Sequence, residues 1–309
     1  MAIQFDALQM NMLSTISDLE KVPTGAYNIR QNGQKLDRNT TANIDIVTKD
    51  DKDGIDIYIK PGTKNESVHI PVILSESGLH DMVYNDFHIG EGADVVIIAG
   101  CGIYNCGEQK TEHDGIHTFY CGKNSKVKYV EKHYGEGEGT GDNVLNPVTV
   151  CYLEEGAYLE METIQIKGVD STKRRTEAVV GKNATLIIGE KIFTHGKQFA
   201  ETYFDVKLDG EGSHTHVVSR SVARDDSKQV YYSNVYGNAA CNGHTECDAI
   251  IMDNARVDAI PEIHANNTEA SLIHEAAIGK IRGEQLTKLM TLGLTEKEAE
   301  DRIIAGFMK

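Results

Sequence analysis

A short phrase recurs along this chain and limits the possible fold more than any other feature. It runs glycine or an acidic residue, any residue, glycine or asparagine, alanine or serine, any residue, then usually an aliphatic side chain. The copies are GEGADV from Gly90, GKNSKV from Gly122, EEGAYL from Glu154, GKNATL from Gly181 and GEGSHT from Gly210, with a looser MDNARV from Met252. Each joins turn-forming residues to a short alternating strand such as ADVVIIAG. The small residues Ala93, Ser125, Ala157, Ala184, Ser213 and Ala255 mark the register, at steps of 32, 32, 27, 29 and 42. Adding Ser227, Cys241 and Ala270 divides the part after Ser213 into steps of 14, 14, 14 and 15, so that two steps make about 28 residues. A unit of that length cannot bury its own apolar face and must stack on its neighbours. Short β-branched strands between Gly/Asn turns, with no helical pattern between them, predict a mainly β fold, a β-solenoid. A β-sandwich with similar turns is the alternative, and the regular steps favour the solenoid.

The two ends differ from this core. Residues 5–19 are able to form a helix, within an N-terminal helical or extended segment over 1–35; the solenoid core is expected over 36–282. After Gly283 the pattern turns helical. Leu286, Leu289, Met290 and Leu292 recur at helical spacing and Gly293 is a stop signal. Thr295 and Glu298 form a capping box that opens a second helix with Ala299, Ile303 and Phe307 along one face. This hairpin over 283–309 is a cap on the open last coil, a docking element for a partner, or both.

Charge and cysteine usage bound the function. The 309 residues hold 31 Lys and Arg against 47 Asp and Glu, a net charge of −16. That balance repels phosphate backbones and anionic lipid, so neither nucleic acid nor a membrane surface is expected as a partner. MAIQFDALQMNML lacks the basic and long apolar regions of a secretory signal. The apolar run from Val95 to Ile103 is broken by Gly100 and Gly102 and is too short to span a bilayer, so a cytoplasmic location is expected. There Cys101, Cys106, Cys121, Cys151, Cys241 and Cys247 stay thiols, as buried small side chains, metal ligands or nucleophiles. No phosphate loop of the form G-x4-G-K-[ST] occurs, so no nucleotide is expected to bind by that route. The glycine-rich EKHYGEGEGTGD from Glu131 precedes no helix and reads as a long turn.

Four groups of residues carry possible chemistry. Cys101, Cys106, His113 and His117 form C-x4-C-x6-H-x3-H, but the middle spacing is shorter than in common zinc fingers, which favours turn and core roles. Lys173, Arg174 and Arg175 form a basic turn, read as solvated surface, with anion or persulfide handling as the lesser reading. CNGHTECDAI supplies Cys241, His244, Glu246, Cys247 and Asp248; PEIHANNTEASLIHEAAIGKI supplies Glu262, His264, Glu269, His274 and Glu275. Cys247 to Glu275, Glu246 to His274 and His216 to His244 are each 28 residues, one coil. Residues one coil apart stack at about 4.8 Å. Cys247 is therefore expected beside Glu275 and Glu246 beside His274, with neighbouring Cys and Glu on opposite faces. A thiolate, an imidazole and a carboxylate suit iron or a nascent iron–sulfur cluster, held weakly enough to be handed on. The same spacing also fits plain His and Glu ladders on the solenoid surface.

These residues lie in phrases that resemble a known family. CNGHTECDAIIMDNARVDAIPEI and LIHEAAIGKIRGEQLTKLMTLGLTEKEAEDRIIAGF strongly resemble the C-terminal core of the SufB/SufD family of SUF-system assembly proteins. GAYNIRQNG, HDGIHTFYCGKN, EKHYGEGEGTG, GVDSTKRRT and THGKQ are similar to other family phrases, so the resemblance spans about residues 15–309. It implies a right-handed parallel β-helix with short terminal helices. It also implies a scaffold, not an enzyme, that holds an iron–sulfur cluster transiently at the interface of two family members. ATP hydrolysis is expected in a separate SufC-like ABC ATPase docked on about residues 283–309. A sulfur donor and apo-protein recipients are the further partners. The cysteine of the family's C-D-[AS] phrase falls on Cys247 and the pair of its H-E-A phrase on His274 and Glu275, the implied metal ligands. Glu246 and His244 stand beside them as cofactor-binding candidates. The family's N-terminal cysteine motif and longer helical N-terminal region have no counterpart here, and Ile273 stands where many members carry a second glutamate. This looks like a compact member, and a homodimer filling both the SufB-like and SufD-like roles is expected. A SufD-like adaptor that binds no cluster and a metal-dependent β-helix enzyme are the alternative functions.

Overall fold

The computed structural model describes residues 5–19 and 23–309; residues 1–4 and 20–22 of the expected N-terminal segment lie outside the described residues. The chain is a β-solenoid of about eight turns. Its strands alternate between two ten-stranded sheets that enclose a side-chain-filled lumen. The first sheet runs from Gln34–Asn39 and Ala26–Gln31 to Asn242–Ile251 and Ser271–Gly279. The second runs from Ile44–Thr48 and Gly54–Ile59 to Lys228–Gly237 and Arg256–Ala265. The first strand pair of each sheet, Ala26–Gln31 with Gln34–Asn39 and Ile44–Thr48 with Gly54–Ile59, is antiparallel; beyond these, strands pair in parallel with the strand one coil away, for example Thr185–Thr194 with His214–Ala223. Asn143–Leu145 and Val148–Leu153 share one rung, interrupted at Asn146 and Pro147, where the proline has no N–H to donate.

The recurring phrase builds one kind of corner. Its five regular copies each lead into a strand of the first sheet. The residue before the small one, Gly92, Asn124, Gly156, Asn183 or Gly212, has φ between 52° and 71°, a conformation that glycine and asparagine adopt most readily. The small residue's N–H then returns to the carbonyl three residues back, 3.1 Å for Ala184 to Gly181. These small residues are buried between coils. MDNARV leads instead into a strand of the second sheet, with its positive φ at Asp253, one place earlier. The 14-residue step is therefore half a coil: His214–Ala223 is a ten-residue strand, and four turn residues separate it from Lys228–Gly237.

The helix expected over residues 5–19 forms as α1 (Ala7–Ser17), opened by a capping box between Asp6 and Gln9. It lies on the outer face of the first sheet. The two glycines that break the apolar run explain how: a Cβ on Gly100 would lie 2.4 Å from the Ile16 carbonyl oxygen. Bare backbone there lets Met12, Leu13 and Ile16 pack against Ile29, Ile73 and Tyr134. Regular pairing begins before residue 36. Asn32 and Gly33 take φ of 48° and 77°, the hairpin-turn conformation. They join Ala26–Gln31 to Gln34–Asn39, and Ala26–Gln31 already runs parallel to Lys64–Leu74.

Strand alternation sends every second residue into the lumen, which is divided lengthwise. One side is apolar, with Phe87, Ile97, Phe119, Val127, Leu159, Leu186, Phe204 and Val217 stacked coil on coil. The other side is polar. Arg30 and His113 hold Asp81 at 3.1 and 3.0 Å. The His117 Nδ1 lies 2.7 Å from the Tyr129 hydroxyl, which donates to Glu131 at 3.0 Å. Arg174 pairs with Glu131 and reaches Glu190 at 3.5 Å. The basic turn was thus misread at its centre: alternation buries Arg174, while Arg175 pairs outside with Glu177. The long turn read from Glu131 onward is likewise corrected, because Lys126–Glu136 is a strand that points Glu131 and His133 inward. Burial opposes the ionisation of both glutamates. The close Arg174 guanidinium, with His133, nevertheless holds Glu131 well below the usual carboxylate range, while at Glu190 burial wins and raises its pKa.

The C-terminal hairpin forms as α2 (Gly283–Met290) and α3 (Glu296–Phe307), with the Thr295–Glu298 capping box in place. It does not cover the last coil. Ala299 is the one buried residue of α3 and α2 buries none, while Ile263 and Ile278 on the inner face of the last coil remain 43% and 37% exposed. The helices pack on each other and reach the solenoid through Arg224 and Glu300 at 3.8 Å. Among the described residues no helix is long and apolar enough to cross a membrane.

Two outcomes follow from this packing. Ala184→Phe forces a ring into a corner with no space and is expected to lower stability by about 1–3 kcal/mol in denaturant titration. Burial pushes His117 from its ordinary 6.5 down to about 4, so its neutral form contributes fully above pH 6.5 and that contribution is lost as pH falls towards 4. Thermal unfolding should therefore show a melting temperature that drops between pH 6.5 and 4, with a smaller drop for His117→Gln.

Candidate functional site

Turn length decides which candidate residues meet. Asn242–Ile251 stacks on His214–Ala223 with the expected step, His244 on His216 and Cys247 on Ser219. The next step is one residue longer: His274 lies opposite Thr245, Glu275 opposite Glu246, and Ala276 opposite Cys247. The expected contacts of Cys247 with Glu275 and of Glu246 with His274 are therefore corrected by one position. Four residues separate Gly237 from Asn242, but five, Asn266 to Ala270, separate Ala265 from Ser271. The extra turn residue advances the register, and a one-residue advance exchanges the faces of a strand. The candidates divide accordingly. Cys247 and His274 face inward; His244, Glu246 and Glu275 face outward, together with His216.

On the inner face, Cys247 is 2% exposed. Burial first, then the nearby Glu190 and Asp248 carboxylates, push its thiol up to about 12. It lines a narrow cavity with Glu190, Ser219 and Tyr231. Glu190 accepts from Ser219 at 2.7 Å and from Thr202 at 3.1 Å, so Cys247 stands at the end of the polar side of the lumen. His274, on the terminal rung, lies diagonally across the ladder, with a Cα separation of roughly 8 Å expected from strand spacing and rise. Its Nδ1 is 2.7 Å from the Thr245 hydroxyl, while its Nε2 is enclosed and has no hydrogen-bond partner among the described residues. Burial, then His244, lower its pKa from the ordinary histidine value. One ring nitrogen held by a hydroxyl, with the other left without a partner, is an arrangement that a metal-binding imidazole uses when the held nitrogen is the donor.

On the outer face, Glu246 Oε1 lies 3.0 Å from His216 Nε2 and 3.6 Å from His244 Nε2; Glu275 Oε2 lies 3.6 Å from His244 Nε2. Of the other candidates, Glu262 and His264 belong to the second sheet, where His264 stacks on Tyr236 at 4.5 Å. Glu269 is in the turn before the last strand, and Cys241 is a buried corner residue. Of Cys101, Cys106, His113 and His117, Cys106 stands apart because it is exposed; the other three face the lumen and line one narrow cavity, where Asp81 and Tyr129 already hold the two imidazoles. Sequence reasoning left out Thr245, Glu190 and His216 as site residues. His216 was the legible one, because it shares the coil step with His244.

Comparison with known proteins finds relatives of one family. The SUF system FeS cluster assembly SufBD core domain matches residues 76–307, which takes in the terminal coils and both C-terminal helices. An iron–sulfur cluster assembly SufBD family protein of Archaeoglobus fulgidus is 30% identical over 275 residues, covering 85% of this chain and 70% of that protein. One of Methanocaldococcus jannaschii is 28% identical over 255 residues, covering 82% and 79%. The core-domain match covers most of the chain, so the chain, a parallel β-solenoid, belongs to the SufBD family and has a role in iron–sulfur cluster assembly.

Proposed function

We propose that this chain is the scaffold on which a nascent iron–sulfur cluster is built, where the last coils of two copies meet. One observation carries the reading: Cys247 and the free Nε2 of His274 share the inner face of the last two rungs, at the open end of the solenoid. Among the described residues, strand Ser271–Gly279 pairs on one side only, and Ile263 and Ile278 beside it are exposed. An unpaired edge with exposed apolar side chains favours association with another edge. An isologous contact there presents Cys247 and His274 twice, which supplies enough soft and nitrogen donors for a cluster.

The cluster is cargo, so its ligands must be reachable. Cys247 in the single chain is buried and protonated; receiving iron and sulfur requires the terminal coils to open. The proposed lever is the C-terminal hairpin. It lies beside the open end, is tied to the solenoid at Ala299 and Glu300, and exposes Met290 and Leu292, the latter 76%. Those side chains suit docking by an ABC-type ATPase, which hydrolyses ATP while this chain holds no nucleotide and catalyses no reaction of its own. The finished cluster passes to apo-proteins in a cytoplasm that keeps thiols reduced. Burial of Cys247 favours one second reading, a SufD-like adaptor that never carries the cluster.

Anaerobic reconstitution with ferrous iron and sulfide separates the two. The wild type is expected to develop the visible absorbance of a cluster, Cys247→Ser and His274→Ala to lose nearly all of it with unchanged far-UV circular dichroism, and Cys106→Ser to keep it. A Cys247→Ser chain that assembles as much cluster as the wild type would remove Cys247 from the site. Deleting residues 283–309 is expected to abolish co-purification with the ATPase while the solenoid stays folded; undiminished binding by the truncated chain would refute the docking assignment.

A further inference from the structure

The outer face of these rungs holds a second group with its own chemistry. His216 and His244 stack with ring centroids 5.0 Å apart and planes 12° from parallel, so their Nε2 atoms point the same way, towards Glu246. Glu246 Oε1 is within hydrogen-bond reach of His216 Nε2 at 3.0 Å, but His244 Nε2 is 3.6 Å from both nearby carboxylates and, though enclosed, has no hydrogen-bond partner among the described residues. A buried lone pair or N–H left without a partner costs free energy. The ligand atoms of His216, His244 and Glu246 all lie within 4.8 Å of one another. Around a tetrahedral ion with bonds of 2.0–2.1 Å, ligand atoms stand about 3.3 Å apart; the observed separations bracket that value.

We infer that His216, His244 and Glu246 bind one divalent transition-metal ion on the outer face of the first sheet, with the exposed Glu275 carboxylate in reach as a fourth ligand. The inference goes beyond cluster assembly, because it needs neither Cys247 nor a second copy. Cys247 points to the opposite face, so the donor set is two imidazoles and carboxylate oxygen. That set suits Zn(II), Co(II) or Fe(II) and not Cu(I) or a cluster, which want sulfur. The three side chains are 24–36% exposed, so an ion enters from solvent without any opening of the fold. The acidic balance of the chain draws cations towards it. The comparable group of His80, Glu112 and Asp114 lacks this character: Lys110 pairs with Glu112, and Asn146 donates to both carboxylates at 2.9 and 3.1 Å.

Co(II) titrated anaerobically into the metal-free full chain tests this directly. The wild type and Cys247→Ser are expected to bind one equivalent, with the visible bands of four-coordinate Co(II) and no sulfur-to-cobalt charge transfer. His216→Phe and His244→Phe keep a stacked ring but remove the nitrogen. Each is expected to weaken binding at least about tenfold, as is Glu246→Gln. Melting temperatures without metal check that each variant is folded, and added Zn(II) should raise the melting temperature of the wild type only. The inference is overturned if the wild type takes up no stoichiometric Co(II), if folded His216→Phe binds as tightly as the wild type, or if Cys247→Ser abolishes binding. The last result would move the ion to the thiol without touching cluster assembly; loss of reconstitution in Cys247→Ser with Co(II) binding intact separates the two sites.

Discussion

Everything in this molecule hangs on the parallel hydrogen-bonded stacking of one coil on the next. A half-coil of about fourteen residues has no core of its own; its inward side chains are buried only because the coils above and below supply the walls. The stacking therefore demands corners of constant shape, and the chain meets that demand with left-handed residues at Asn124, Asn183 or glycine, followed by a side chain small enough to lie between coils. Any change in corner length is passed to every residue of the next rung. That is why one extra residue before Ser271 sets which side chains face Cys247.

The divided lumen shows what such stacking makes possible. Ionisable groups normally avoid a protein interior because desolvation is costly. Here rungs 4.8 Å apart bring acid and base into line, so that Asp81, His113, His117, Glu131, His133, Arg174 and Glu190 partner one another down one side. A single guanidinium cannot hold two carboxylates equally. The nearer Glu131 is held well below the usual carboxylate range, while burial pushes the farther Glu190 towards its neutral form despite Arg174 and two hydroxyl donors. The polar file ends at Cys247, whose thiol feels Glu190 directly.

The terminal rungs then carry two different donor sets on two faces of the same strands. The inner face offers a thiol and one histidine nitrogen, both enclosed. The outer face offers two imidazoles and carboxylates, already reachable from solvent. Strand alternation alone separates them: His244, Glu246 and Glu275 cannot join Cys247 without reversing a strand.

The solenoid itself was legible because its signal is local. The corner phrases, the capping boxes at Thr295 and the helical stripes need no knowledge of distant residues, and they located the repeat, α1, α2 and α3. The 28-residue step also placed His244 on His216 correctly. The sequence, through its family phrases, singled out Cys247, His274 and Glu275. Tertiary structure alone decided their neighbours. Counting from Cys247 to Glu275 assumes equal corners, and a five-residue corner looks no different from a four-residue one until hydrogen bonding sets the ladder. Arg174 likewise reads as surface in a run of three bases, because facing depends on strand phase and its stabilising partners, Glu131 and Glu190, lie 43 residues before and 16 after it in the chain. Long-range pairing between ionisable groups leaves no periodic trace in a sequence, whereas the corners that create it do.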